Sequence, residues 1–472
     1  MRSNATTQNA EDSATSASRH NYLVRRYREI AYWALGSPAS TRGSWTDGLF
    51  LLGLLIVGTV VAFARIPEDA VRVVWAEDGS IFLAGAFAHP WSDVVLMPYN
   101  GYAAAYPRTI AAIIRTFVSL NHVPLATTLA ACFTTAGVAT VIFWSLRSRI
   151  PQVGIRLVLW AAVVVLPVAG IEVSGSIANS HWYLLVGLFA VLVTRQRSVT
   201  GRILAAMLIM VTILSDPLGV IFLPLAVLRL SDEGKYSRWI VPAASAAATL
   251  VQGLVVINTA LGNQAGSATL LEIARATGFR VYLEALVGHS LAVAAYGWIK
   301  GGALAIAAAC IALAAIASYR LSNAGLVIIS FVAGTAMFLI SGVLRWFPGL
   351  DPANGQLTGA TRYDIVPVLV VSIGVAAAAA TIRHTRRRVL VALSWSGVGA
   401  IVVAVAISAG LDWGITARAT TIPWSISLAT NVELCKGAEP TKVVVLSESP
   451  AGFRFSASCR VVLRSSTRDN PF

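Results

Sequence analysis

The chain has 472 residues, 56% of them hydrophobic and 12% charged, with a formal net charge of +14 at pH 7. Soluble domains carry about a quarter charged residues and no such apolar excess, so a simple soluble domain is excluded and the surplus must face lipid. The basic residues fall in short clusters between apolar runs, which fits membrane orientation and speaks against a nucleic-acid partner.

Residues 1 to about 20 are rich in Ser, Thr, Asn and Ala and read as a disordered tail within a cytoplasmic segment 1–47. The first long apolar run, near 48–64, begins too late and runs too long for a cleaved signal peptide, so it is a retained membrane helix. Further runs able to cross about 30 Å of hydrocarbon lie near 125–146, 155–171, 182–194, 202–214, 217–229, 239–260, 302–318, 324–343, 364–381 and 389–410. The expected fold is therefore an all-α polytopic membrane protein of about 11 transmembrane helices, with interfacial helices in the first outer loop. The bundle occupies 48–411.

The stretch 286–299 is a candidate twelfth span. Lys and Arg gather in short cytoplasmic loops, and an eleven-span chain with a cytoplasmic N-terminus puts Arg25, Arg26, Arg28, Arg147, Arg149, Arg195, Arg197, Lys235, Arg238, Arg383, Arg386, Arg387 and Arg388 inside. A twelfth span would move the last cluster outside. Residues 286–299 are accordingly expected to form a half-inserted or interfacial helix, with the C-terminus extracytoplasmic.

Residues 412–472 form a small extracytoplasmic C-terminal domain in this reading. Its alternating stretches 442–446 and 453–463 predict a β-hairpin. Cys435 and Cys459 are the two cysteines of this polar region and are expected to pair, closing a loop worth about 3 kcal/mol in the chain-entropy model.

Polar residues are densest in the first outer loop: Trp75-Ala76-Glu77-Asp78-Gly79, His89-Pro90-Trp91, Tyr99-Asn100-Gly101-Tyr102 and Tyr106-Pro107-Arg108. In an adjacent acid pair one carboxylate can serve as general base while the other orients an acceptor or shifts its partner's pKa. The same pair also fits as N-cap and first-turn acids of a helix beginning near Ile81. Arg108 and Arg115 lie on one face of an apolar helix, suited to a lipid phosphate or to snorkelling toward headgroups.

Asn179, Ser180, His181 and Trp182, with Glu172 nearby, can stack on and hydrogen-bond a sugar, although Trp also anchors membrane interfaces. The loop 344–364 brings Arg345, Trp346, Asp351, Asn354, Arg362, Tyr363 and Asp364. An Arg where a helix re-enters the bilayer can fix a phosphate through charge-assisted bonds or serve as an anchor. No Gly-rich phosphate loop with Lys-Ser or Lys-Thr, zinc-protease helix or paired-cysteine metal motif is present, which argues against nucleotide hydrolysis. The acid pair can bind Mg or Mn, so a divalent cation remains an open cofactor and no metal ligand set is assigned.

The layout of residues 48–410, the Glu77-Asp78-Gly79 motif after the first helix, and Arg362-Tyr363 before a late helix resemble the C-type superfamily of integral membrane glycosyltransferases. The resemblance implies a first-outer-loop carboxylate as base, a polyprenyl-phosphate-linked sugar as donor and an outer-face, cell-envelope glycan or glycolipid as acceptor. Carried onto matching positions, it makes Asp78 the preferred base with Glu77 beside it. Arg362, Arg108 and Tyr363 would then hold the donor phosphate, and His181, Trp182, Asn179 and Tyr102 the sugar or acceptor. The rival reading is a lipid-linked oligosaccharide flippase or other transporter, which would need a polar path through the bundle.

Overall fold

The computed structural model describes residues 21–38, 44–165, 172–234, 236–259, 268–318, 323–344, 346, 348–354, 361–382, scattered positions between 396 and 418, and 421–466. The N-terminal tail 1–20, Arg345, Arg383, Arg386, Arg387 and Arg388 lie outside these residues, as does most of the predicted run 389–410.

Among the described residues, five helices are long and apolar enough to cross a membrane: Trp45–Ala64, Leu120–Ser148, Ser237–Asn258, Ala324–Gly342 and Thr361–Thr381. The first is opened by a capping box in which Ser44 and Asp47 satisfy each other's backbone amides, at 3.2 Å from Asp47 N to Ser44 Oγ and 2.8 Å from Ser44 N to Asp47 Oδ2. Thr361–Thr381 is fully enclosed by the rest of the bundle, as a helix apolar on every side should be. It pairs with the preceding long helix through small residues: a Cβ on Gly334 would meet the Pro367 carbonyl at 3.1 Å.

The other expected runs carry shorter helices, Val153–Val164, Ser180–Leu192, Val199–Ile213 and Leu223–Leu228, together with Gly301–Ser318. The stretch 286–299 breaks at Gly288, with φ of 77°, and continues as His289–Ile299. Its 11 residues span about 16 Å at 1.5 Å per residue, about half a hydrocarbon core.

Two features depart from the expectations. Residues 21–35 form a helix, anchored by fully buried Ala31 and Leu35, where only a tail was expected. In the C-terminal hairpin, Val443–Ser447 pairs antiparallel with Arg454–Ser458, but the second strand stops there, and Cys459–Ser466 is helical rather than extended. The chain turns because Cys459 is bonded to Cys435, with Cα atoms 5.2 Å apart, and because Cys459 N and Arg460 N donate to the Lys442 and Pro440 carbonyls.

The C-terminal segment folds onto the first outer loop. Val74, Phe82, Leu83, Leu120, Trp424, Leu446 and Phe455 belong to one buried cluster, separate from the core of the helix bundle. Trp424 ties it together, its indole N–H donating to the Leu120 carbonyl at 2.7 Å and its backbone N–H to the Arg72 carbonyl at 2.9 Å.

Candidate functional site

The acid pair sits at a backbone junction. Ala76 N donates to the Ser449 carbonyl at 2.6 Å and Ser449 N to the Val74 carbonyl at 3.0 Å, so the C-terminal segment grips the chain just before Glu77. Ala76 takes φ of 42°, an unfavourable conformation for a residue with a Cβ, held by those bonds. From Asp78 the chain winds as one wide helical turn, Asp78–Leu83, and then as the helix Ala84–Ala88.

The two acids end in different surroundings. Asp78 is wholly buried and accepts from Ser176 Oγ at 3.0 Å, Ala178 N at 2.8 Å and Ile177 N at 3.3 Å. Three donors suit an ionised carboxylate. Burial pushes its pKa up to about 6, against the opposing pull of the Arg418 charge and of the donors. Arg418, 1% exposed, donates to the Gly175 and Ser174 carbonyls at 2.8 and 3.2 Å, fixing the same loop from its other side. Glu77 stands at the N-cap position of the wide turn without a side-chain cap bond, and Asp78 lies in its first turn.

Glu77 is half-buried and receives the Tyr99 hydroxyl at 3.3 Å. Burial and the Glu77 charge push the Tyr99 phenol up to about 12, so it stays a donor at neutral pH. Tyr99 is presented by a two-residue hairpin whose Asn100 and Gly101 take the positive φ values, 49° and 86°, that such a turn requires. Gln252 clamps this hairpin from a membrane helix, accepting from Ala103 N at 3.0 Å and donating to its carbonyl at 3.3 Å.

The second and third polar segments meet each other through Trp182 and Tyr363, within reach of the Glu77 charge. That charge acts on both His181 and Arg362. The Arg362 side chain is 41% exposed, lies 3.8 Å from Glu172 and stacks near the Tyr363 ring at 5.3 Å. Tyr363 meets Trp182 edge to face at 5.5 Å, and Trp182 lies 4.8 Å from the His181 ring. His181 is held at both nitrogens, Nδ1 2.6 Å from the Ala178 carbonyl and Nε2 3.4 Å from Asp216. Asn179 is buried, donating to the Glu172 carbonyl and Ser176 Oγ, both at 3.3 Å, and Tyr102 packs against Tyr99.

Arg108 is spent inside the loop. Its terminal nitrogens donate to the Ile81 and Pro98 carbonyls at 3.3 and 3.4 Å, and its guanidinium covers the Phe82 ring. Arg115 grips the Ala86 and His89 carbonyls at 2.5 Å each, so neither arginine simply snorkels. Asp364, buried in an ion pair with Arg280 at 2.7 Å, braces the Arg362 turn.

Glu448 is the acid that local sequence signals missed. It is 1% exposed, accepts from Ser80 N at 3.1 Å and presses its other oxygen against Gly79, where a Cβ would collide with Oε1. That contact is why glycine follows the acid pair. Burial and the Asp78 and Glu77 charges push the Glu448 pKa up to about 9. The folded state thus holds a proton that an unfolded glutamate, at 4.5, releases, and this stability is lost as pH climbs toward 9. Unfolding free energy should fall from about pH 4.5 to about pH 9, by about 1.4 kcal/mol per pH unit within that window, and thermal midpoints with it. Glu448→Gln should flatten that slope, and parallel curves for both proteins would refute the assignment.

A divalent cation does not fit these acids. Both Asp78 oxygens already accept from protein donors and Glu448 favours its neutral form, which leaves Glu77 as the one available carboxylate of the three. A single monodentate acid is a poor site for Mg or Mn.

No family model and no curated protein matches the chain. Among solved structures, it is similar to the cryo-EM structure of the arabinofuranosyltransferase AftD from Mycobacteria, with 13% identity and a TM-score of 0.46. The match covers 86% of this chain and 30% of that one, so the chain spans about a third of that protein's length.

Proposed function

We propose that this membrane protein is a glycosyltransferase that moves a sugar from a polyprenyl-phosphate carrier to an outer-face glycan or glycolipid, with inversion. The observation that carries the reading is a half-buried carboxylate, Glu77, whose charge reaches a part-exposed guanidinium, Arg362, set between Glu172 and the Tyr363 ring.

In this mechanism the acceptor hydroxyl gives its proton to Glu77, and its oxygen forms the new bond to the anomeric carbon from the face opposite the phosphate. The bond from that carbon to the phosphate oxygen breaks, and its electron pair leaves with the polyprenyl phosphate, whose added charge Arg362 neutralises. Tyr99 orients Glu77, and Asp78 acts as a positioning residue by locking the loop 176–178 beneath it. Tyr363 offers its ring to a sugar, and Trp182, buried in the core, backs it edge to face. Arg108 supports the loop rather than the phosphate.

Arg362→Ala should weaken donor binding about 10- to 150-fold, the worth of roughly 1.5–3 kcal/mol for a hydrogen bond to a charged group, with a smaller loss at saturating donor. Purified protein titrated with a polyprenyl-phosphate sugar measures this. Unchanged donor affinity would remove Arg362 from the phosphate site.

The eleven-span topology belongs to the same proposal. The C-terminal hairpin shares a core with the first outer loop, and Trp45–Ala64 separates that loop from the helix 21–35, which supports opposite sides for the two ends. Reporters fused after Arg388 and after Phe472 should report the cytoplasm and the exterior respectively. Signals from one side would sink the eleven-span count.

A further inference from the structure

A cavity of about 1000 Å³ opens at the other end of the bundle. On the helix Val123–Ser145 it is lined by Trp144, 21 residues and about 30 Å at 1.5 Å per residue beyond the end that packs by Leu120 and Trp424. Its walls are apolar, with Leu51, Val141 and the pair Leu204 and Leu208 drawn from three helices. Its rim is basic: Arg147, Arg195 and Arg197 line it against one acid, Glu233.

The rim is built rather than loosely decorated. Arg147 lies flat on the Trp144 ring at 3.8 Å and donates to the Trp144 carbonyl at 2.8 Å, while its buried Nε has no partner among the described residues. Arg195 is fixed from behind by Ser231 Oγ at 2.8 Å and Asp232 at 3.5 Å. Two guanidinium groups are thus held in place at the mouth of an apolar chamber. Leu204, 61% exposed, continues the chamber wall onto the outer surface of the bundle.

We infer that this cavity binds an anionic phospholipid of the leaflet on that side, its phosphate taken by Arg147 and Arg197 and its acyl chains lying along Leu204 and Leu208. Charge complementarity selects this occupant: three cations line the cavity against Glu233, and even with Asp232 behind Arg195 the balance stays positive, a surplus that a net-negative headgroup satisfies and a zwitterionic one does not. Arginine snorkelling alone needs no chamber. The volume lies at the upper end of the roughly 300–1,000 Å³ range of small-ligand sites, fitting a headgroup with the start of its chains.

The test is native mass spectrometry of the full-length protein in detergent, titrated with phosphatidylglycerol and with phosphatidylcholine of identical acyl chains. Phosphatidylglycerol should bind about tenfold or more tightly, and Arg147→Gln with Arg197→Gln should erase that preference. Leu204→Trp, a change on an exposed wall that leaves the charges in place, should weaken both lipids by filling the chamber. Equal binding of the two lipids would overturn the inference, as would a preference untouched by either set of variants. Inorganic phosphate displacing phosphatidylglycerol would instead make this a free-anion site. A polyprenyl phosphate displacing it in the wild type, but not binding the double variant, would make this a carrier site. Either result would overturn the assignment.

Discussion

Glu77→Gln is expected to abolish sugar transfer, by about 10² to 10⁴ in rate, while the protein remains folded and binds donor normally. Glutamine keeps the length of the side chain and can still accept from Tyr99, so packing and the hairpin that carries Tyr99 are preserved. What disappears is the basic oxygen that takes the acceptor's proton. Of the acid pair, Glu77 is the member with an oxygen open to a substrate, because Asp78 is sealed and saturated by protein donors. Initial rates with a polyprenyl-phosphate sugar, beside a donor-binding measurement, separate the two effects. Near-normal turnover in Glu77→Gln would defeat the proposed base, and parallel loss of donor binding would point to a binding role instead.

The second large effect is structural. Asp78→Ala should cost about 3–5 kcal/mol of stability, because three buried donors lose their acceptor at about 1–3 kcal/mol each. Arg418 is fully enclosed and feels the Asp78 charge, and Ser176 Oγ, Ile177 N and Ala178 N would lose their acceptor in the same step. Asp78→Asn should fall between: the amide oxygen still accepts, but its NH2 group faces donors and the Arg418 charge stays uncompensated. Unfolding in a mild detergent, followed by circular dichroism, measures the cost. An Asp78→Ala midpoint equal to wild type would show that the loop 176–178 does not depend on this carboxylate. In the expected case activity is lost without unfolding in Glu77→Gln but together with folding in the Asp78 variants, a contrast that distinguishes the two acids.

A glycine directly after an acid pair reads as backbone freedom beside the base, which favours Asp78 over Glu77. The structure gives that glycine another reason: the Glu448 carboxyl occupies the space a Cβ would need. A partner 369 residues later in the chain leaves no mark on the local pattern around Gly79. The same holds for Arg418 and Gln252. The first reads as one more basic residue in a polar tail and the second as a stray amide in an apolar helix, yet both reach the first outer loop or the segment beneath it.

Membrane character, the first membrane helix and the three polar segments are legible in the sequence, because each follows from local composition and from helix length against bilayer thickness. The pairing of Cys435 with Cys459 was equally local, two cysteines bracketing a short hairpin. Tertiary structure alone decided which acid is open, that Arg108 supports a loop, that residues 21–35 are helical, and that the C-terminal segment completes the first outer loop rather than standing apart. The reason is physical. Hydropathy and charge position each segment relative to the bilayer one element at a time, whereas the exposure of a carboxylate depends on every donor and side chain that distant segments bring against it.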